Sequence, residues 1–531
     1  MPNVLRNIST RDDTSFPYIF EQNVDIPLIA YGKGLIRVNL YLPKGAAEGT
    51  KYPVLLTHGP YGKDVSYEAF RKPSFDQVNP EHKSSPGVLD TMSAATSEGF
   101  FDVVEWAADQ PWSNGKVGLL GISYYAESQW RVAARKPRGL AAIIPWEGMS
   151  DYHRDRVRHG GILSDKFIRF WWNAQVVVNQ YGRPRREGSP FPPTIEGELS
   201  PEELSANLND QTVNTAKFRF RDEDYFASKD FKLEDIVVPL LSGGILLHLR
   251  GNVEGYVHAG SSNKYLRFIT GRHDLPFYYS EEAALQNSFL DAFLKDSDVE
   301  AWSTPGKLDL VSVVLREGDV GVNDAEKEKV YKRRGEKAWP IPRIQYQKLY
   351  LGKDASLSKE QPSPTNRKGI LAYNALSNIP SDLDLFLTIR HLDAAEKEIF
   401  YTGTAGDSVP VTKGWLRCSL RKTNPSHPYH REYLPYREYH SSDAELLNPG
   451  EVYSVDVEIW PTNVVVGEGN KLVFEIAGTD TQGCGIFKHE DPDRKEAVFK
   501  GLNQLHFGSG EGNYVTLPYI PEEGAEKLSS I

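Results

Sequence analysis

Gly121-Ile122-Ser123-Tyr124-Tyr125-Ala126 holds the residue most able to do covalent chemistry, because of what flanks it. Lys116-Val117-Gly118-Leu119-Leu120 before it is a short apolar run that reads as a buried strand, and Ala126 to Arg135 after it is rich in helix formers. A serine on a tight turn between a strand and a helix is the setting of a nucleophile elbow. The turn exposes the hydroxyl above the sheet edge, and the helix aims its first N–H groups and positive dipole end at an oxyanion formed there. The fifth position of a G-x-S-x-G elbow calls for a small residue, whereas this chain has Tyr125. The competing reading is a serine N-cap on an ordinary βα turn, and on the hexapeptide alone the two stand level.

The surrounding elements must position that serine. Leu35 to Pro43 alternates as a strand does, and Pro53-Val54-Leu55-Leu56-Thr57-His58-Gly59 reads as a buried strand ending in a glycine turn. Phe100 to Asp109 predicts a helix and Gly139 to Trp146 the next strand. Strands and helices in alternation imply a parallel sheet covered on both faces. From Asp151 to about Asp235 the pattern turns helical, aromatic and charged, with a Pro/Gly/Arg-rich interruption from Gly182 to Thr194, which reads as an inserted cap. Strands resume at Ile236 to Ser242 and Lys264 to Thr270, followed by a helix from Glu281 to Leu294. Beyond Tyr346, short alternating runs at Asp382–Ile389, Val452–Trp460 and Lys471–Ile476 predict a β-sandwich. The expected division is an α/β core in two parts (1–150 and 236–345), a helical cap (151–235) and a sandwich domain (346–531).

Composition removes several function classes. At 531 residues the chain is too long for a single core. A net charge of −11 opposes a nucleic-acid partner, which demands clustered Lys and Arg. Lys332-Arg333-Arg334 and the group Arg183, Arg185, Arg186 are too short for that role and read as solvated loop charges. With Cys418 and Cys484 alone, neither a disulfide framework nor a cysteine zinc site can be built. Met1 to Phe20 has no apolar h-region and no stretch approaches ~20 apolar residues. Without a secretion signal, the sequon Asn7-Ile8-Ser9 carries no weight. A cytoplasmic, soluble protein is expected, with no membrane partner; the sequence leaves its oligomeric state open, a homo-oligomer included.

Several segments together resemble one family, the cocaine-esterase-like (CocE/NonD) serine hydrolases related to the X-prolyl dipeptidyl peptidases. They are His58-Gly59-Pro60-Tyr61-Gly62-Lys63, the serine elbow, Pro145-Trp146-Glu147-Gly148, Phe289 to Lys295, Gly414-Trp415-Leu416-Arg417-Cys418-Ser419 and Glu458-Ile459-Trp460-Pro461-Thr462. They occur in the family's order over nearly the whole chain. The family reads Gly-x-Ser-Tyr, a variable residue, then Gly or Ala, which accommodates Tyr125. The resemblance implies an α/β-hydrolase core, a helical cap inserted after Trp146 and a C-terminal jelly roll.

It also implies roles. Ser123 matches the nucleophile, and a serine needs an imidazole to take its proton during attack. His273 lies after the Lys264–Thr270 strand, where the order Ser…acid…His places the base; the family's Gly-Pro-Trp-x-His reads Gly271-Arg272-His273-Asp274 here. His58, His248 and His258 compete, His58 more naturally as a loop support. Tyr61 matches the tyrosine that donates its hydroxyl to the oxyanion, and the backbone N–H of Tyr124 is the second donor. The acid departs from the pattern. Where the family has Gly-Gly-Trp-Tyr-Asp, this chain reads Ser242-Gly243-Gly244-Ile245-Leu246-Leu247-His248, with no carboxylate. Glu147, at the end of the preceding strand, is the favoured replacement; Asp151 and Glu254 are the alternatives, and a glutamate that merely anchors the cap is the competing reading of Glu147. Trp146, Trp171, Trp172 and Tyr278 are candidate pocket residues. Phe167, Phe170, Trp171 and Trp172 read equally as core aromatics at helical spacing.

The expected activity is hydrolysis of an ester, or an amide, of a small organic acyl substrate through an acyl-enzyme, with no metal and no cofactor required. An acyltransferase uses the same intermediate when the cap excludes water. A non-catalytic binding protein that has lost its triad acid is the reading from a different class.

Overall fold

The computed structural model describes residues 6–29, 34–66, 81–83, 88–185, 187, 193–194, 198–245, 248–361, 369–376, 382–490, 493–494, 500–507 and 512–521. Arg186, Leu246 and Leu247 lie outside the described residues. The centre is a seven-stranded sheet of β1 (Tyr52–Leu56), β2 (Ser113–Ile122), β3 (Leu140–Trp146), β4 (Leu240–Gly244), β5 (Lys264–Phe268), β6 (Val311–Leu315) and β7 (Lys332–Glu336). They lie side by side in chain order, β1 to β6 parallel and β7 antiparallel at the edge.

Side chains alternate across this sheet with the strand period of two. Val117, Leu119 and Ile143 point to one face, where they meet α1 (Ala94–Ala108) and α2 (Tyr124–Ala134) through Phe100, Val104, Trp130 and Val132. α3 (Leu249–His258) lies on that side too, since a Cβ on its Gly255 would stand 2.7 Å from the Trp130 ring. On the other face Ile122, Ala142 and Ile144 pack under Phe289 and Leu290 of α4 (Ser280–Leu294). Both faces are covered, which is the condition for a parallel sheet.

The cap segment forms short pieces instead of long helices: Lys166–Trp171, Pro201–Ala206, Gln211–Lys217 and Asp224–Ala227, with π-helical turns at Tyr152–Val157 and Trp172–Val176. Beyond residue 345 the chain is built of antiparallel pairs. Asp384–Leu392 is flanked by Thr412–Arg417 and Lys471–Ala477, and Gln345–Leu351 pairs with Tyr514–Tyr519.

Four expectations need correction. Val452–Trp460 is not a strand; it makes one bridge, Ile459 to Gly414. Its polar groups are taken by other segments, with Arg437 donating to the Asp456 carbonyl and Arg250 pairing with Glu458 at 2.5 Å. The basic run Lys332–Arg334 belongs to β7, and Arg333 donates to the Phe268 carbonyl at 2.8 Å and pairs with Glu282 at 3.3 Å. Arg183 is buried instead of solvated. α1 begins at Ala94, six residues before the predicted start, because Ser93 caps it by accepting from the Thr96 N–H.

Candidate active site

Ser123 sits between β2 and α2 with φ 62° and ψ −124°, a conformation that non-glycine residues rarely adopt. Its backbone N–H is held by the carbonyls of Trp146 and Glu147, each at 3.1 Å, so the neighbouring strand end clamps the turn. The elbow has room for Tyr125 because its neighbours are glycines. A Cβ at Gly121 would lie 2.5 Å from the Tyr125 Cβ, and one at Gly59 would lie 2.6 Å from its ring. Ala126 is small for a related reason, since a Cβ at Gly148 would stand 2.3 Å from its own. The α2 ladder starts with the Ala126 and Glu127 N–H groups bonding to the Ser123 carbonyl. The Tyr124 N–H therefore lies ahead of the ladder, at the positive end of the helix.

Glu147 follows β3 and is fully buried, with φ 51°. This left-handed backbone turns its side chain along the strand ends. The Oε1 atom accepts from the Ile245 N–H just past β4, and Oε2 lies 3.0 Å from Nδ1 of His273. His273 follows β5, and its own N–H donates to the Thr404 carbonyl of the C-terminal region at 3.1 Å. A ring nitrogen fixed on a carboxylate sets the tautomer and leaves the far nitrogen as a proton acceptor. The other two carboxylates are engaged elsewhere. Asp151 caps the turn at Tyr152–Val157 and pairs with Arg154. Glu254 pairs with Arg431 at 2.5 Å and with His258 at 3.2 Å.

Tyr61 accepts a hydrogen bond from Trp171 Nε1 at 3.2 Å, and the Ser123 side chain is among the groups that act on its hydroxyl. Burial pushes its hydroxyl pKa upward, so it stays a protonated donor through neutral pH. His58 stacks on Phe100, and burial lowers its pKa to about 4, the behaviour of a loop support. His248 packs its ring 5.5 Å from that of His273 and 6.3 Å from Phe487, and burial lowers its pKa well below the usual value.

The aromatic candidates divide. Trp146 is a core residue instead of a pocket wall: it is fully buried, edge-on to Phe277 and against Gly243. Trp172 is 1% exposed within the cap core, and Phe170 is exposed to solvent. Tyr278 packs partly buried against the core beside Phe277. The Trp171 side chain reaches Tyr61, through its indole N–H. Sequence reasoning missed Glu127, one turn after Ser123 and fully buried, which lies 3.3 Å from Arg156; burial raises its pKa to about 7. Its spacing from Ser123 is legible, but its partner in the cap is not. Among the described residues no group of three or more His, Cys, Asp and Glu side chains is placed to hold a metal, and no helix is long and apolar enough to cross a membrane.

A strained serine elbow, a carboxylate–imidazole pair and a tyrosine beside the nucleophile, set along the strand ends of one parallel sheet, define a serine hydrolase of the α/β-hydrolase type. Comparison with known proteins agrees. The family model for X-Pro dipeptidyl-peptidase (S15 family) matches residues 33–224, and that for the X-Pro dipeptidyl-peptidase C-terminal non-catalytic domain matches residues 374–516. A Mycobacterium bovis protein named as a serine esterase is 22% identical, over 85% of this chain and 89% of its own. The cocaine esterase of Rhodococcus is 32% identical over a shorter stretch, 26% of this chain and 25% of that protein. Among solved structures, a CocE/NonD family hydrolase from Staphylococcus aureus superposes with a TM-score of 0.76 at 23% identity, covering 94% of each chain. An α-amino acid ester hydrolase superposes with a TM-score of 0.59 at 14% identity, over 94% of this chain and 96% of that one. The chain thus matches the S15-family model and that family's C-terminal domain model in separate segments, and it shares its fold with a CocE/NonD hydrolase.

Proposed function

We propose that the protein hydrolyses an ester, or more slowly an amide, of a small organic acid through an acyl-enzyme on Ser123. His273 takes the Ser123 proton as Oγ bonds to the acyl carbon, and the carbonyl electron pair moves onto oxygen. The Tyr61 hydroxyl and the Tyr124 N–H hold that oxyanion. On collapse the C–O bond to the alcohol breaks, and His273 returns the proton to the leaving oxygen. Water then attacks with the same base, and its proton passes through His273 to Ser123 as the acid leaves. Glu147 keeps the ring in the required tautomer and stabilises the imidazolium. The observation that carries this reading is the 3.0 Å contact between Glu147 and His273, since it removes the missing carboxylate as a reason to regard the site as inactive. On the same reading, residues 1–150 and 236–345 form the catalytic core, 151–235 the cap, and 346–531 a jelly-roll domain that braces the core through contacts such as Thr404 to His273.

The test is labelling with a fluorophosphonate probe alongside turnover of a short-chain aryl ester. Wild type should label and turn over, and Ser123→Ala should do neither while keeping its fold. Turnover by Ser123→Ala at the wild-type rate would overturn the proposal.

A further inference from the structure

We propose that Trp171, in the cap, is a positioning residue for the oxyanion site: its indole N–H fixes the direction in which Tyr61 donates. The inference rests on the role proposed above for Tyr61 and adds a residue to it. An indole nitrogen can only donate. In the Trp171–Tyr61 contact, 3.2 Å long, the phenolic oxygen is therefore the acceptor. That side of the Tyr61 oxygen is then filled by a donor, so its single proton points away from the indole and is left for another acceptor. The direction of the bond, from Trp171 to Tyr61, thus follows from the chemistry of the indole.

Trp171 is itself held in place. Its ring stacks on that of Tyr124 with centroids 6.1 Å apart and 20° between planes, and the Arg156 guanidinium lies 4.2 Å over it. Arg156 is in turn paired with Glu127 on α2, at 3.3 Å. With 2% of its surface exposed, Trp171 offers a substrate little to touch, which argues against its being an acyl-pocket wall. It does have a donor locked onto the group that meets the developing negative charge. A donor on the phenolic oxygen also polarises the O–H, so its effect grows as the oxyanion forms and appears in kcat more than in KM.

Trp171→Phe keeps the ring stack and deletes the N–H. The test is a double-mutant cycle of Trp171→Phe and Tyr61→Phe on an aryl ester, with thermal unfolding recorded for every variant. The expected result is a loss of about tenfold in kcat with KM nearly unchanged for Trp171→Phe, and no further loss when Tyr61 is already Phe. Affinity for phenylboronic acid, which places a tetrahedral anion on Ser123, should fall by a similar factor, while affinity for the benzoate ion should not. An equal loss in both backgrounds, or none in either, overturns the assignment of Trp171 and leaves Tyr61 untouched. No effect of Tyr61→Phe alone overturns the underlying role of Tyr61 instead. Should Trp171→Phe fail to fold, Arg156→Lys is the second variant, since it loosens the indole without removing it; a kcat loss that vanishes in the Tyr61→Phe background supports the proposal, and an additive one refutes it.

Discussion

Replacing Glu147 by glutamine tests the acid at the point where this chain departs from the resembled pattern. The carboxylate makes two contacts from a fully buried position: Oε1 accepts from the Ile245 N–H, and Oε2 accepts from Nδ1 of His273. A glutamine has one acceptor and one donor for these two places. With its oxygen on Ile245, its NH2 faces His273 and drives the ring proton to the nitrogen needed to deprotonate Ser123. Flipped over, its NH2 meets the Ile245 N–H, leaving a buried donor opposed at a cost of ~1–3 kcal/mol. The first orientation is favoured, and it holds the wrong tautomer while removing the charge that stabilises the imidazolium. Loss of the equivalent function in serine proteases costs roughly 10⁴ in kcat, so a fall of about 10³–10⁴ is expected here, or ~4–5 kcal/mol at 1.36 kcal/mol per decade. Steady-state hydrolysis of an aryl ester, with pre-steady-state acylation to isolate the first step, measures it. Glu254→Gln is the control, because Glu254 is paired with Arg431 and His258, and its kcat should stay near wild type. A Glu147→Gln enzyme that unfolds normally and retains kcat within tenfold refutes the reasoning.

The remaining predictions are of three kinds. Tyr61→Phe should lower kcat by roughly 10²–10³ with little change in KM, as for other lost oxyanion donors; a change confined to KM in steady-state assays would make Tyr61 a substrate contact. Ser123→Gly should be more stable than Ser123→Ala by ~1–2 kcal/mol, because φ 62° with ψ −124° strains any residue with a Cβ; calorimetric unfolding at equal temperatures would count against stored strain if the two coincide. Burial raises the pKa of Glu127 from its ordinary 4.5 to about 7, so the folded state holds the proton more tightly than the unfolded one. Its contribution to stability is then fully present below the unfolded value near 4.5 and is lost as pH rises through 7, at about 1.4 kcal/mol per pH unit at most. Glu127→Gln should flatten that decline in urea unfolding series between pH 4.5 and 7, and an unchanged slope would show that Arg156 keeps the carboxylate ionised.

The serine elbow and most of the core were legible because their signals are local. An apolar strand, a glycine turn and a run of helix formers place Ser123, and the alternation of Ile143 and Ile144 between faces is written directly into β3. The start of α1 was also encoded, in Ser93 and the two alanines that follow, but apolar periodicity begins only at Phe100. Val452–Trp460 misled because a strand-like run reads the same whether its backbone pairs with a neighbour along its length or, as here, only at its end with Gly414, while Arg437 takes the Asp456 carbonyl. Glutamate was a candidate at 147, but nothing in Trp-Glu-Gly announces the left-handed turn that aims it. The role of Trp171 was hidden for the opposite reason: aromatic residues at helical spacing look alike, and what separates Trp171 from Trp172 is which of them has its N–H against Tyr61.

The identity of residue 147 follows from which strand carries it. In the resembled pattern the acid is an aspartate after the strand equivalent to β4, one step across the sheet from the histidine after β5. Under the proposed function it follows β3 here, two steps away. Neighbouring strands lie ~4.8 Å apart, so the move adds about that distance to the span the side chain must cross. Two features make up the difference. The φ of 51° swings the side chain along the strand ends toward β5, and the extra methylene of glutamate extends it by about one C–C bond, ~1.5 Å. An aspartate on the same backbone would leave the 3.0 Å contact near ~4.5 Å, beyond hydrogen-bonding range. The end of β4, freed of an acid, still takes part, because the Ile245 N–H braces the carboxylate as it passes. Longer acid, earlier strand and left-handed turn are one coupled solution, and a sequence that kept only one of the three would leave His273 without its partner.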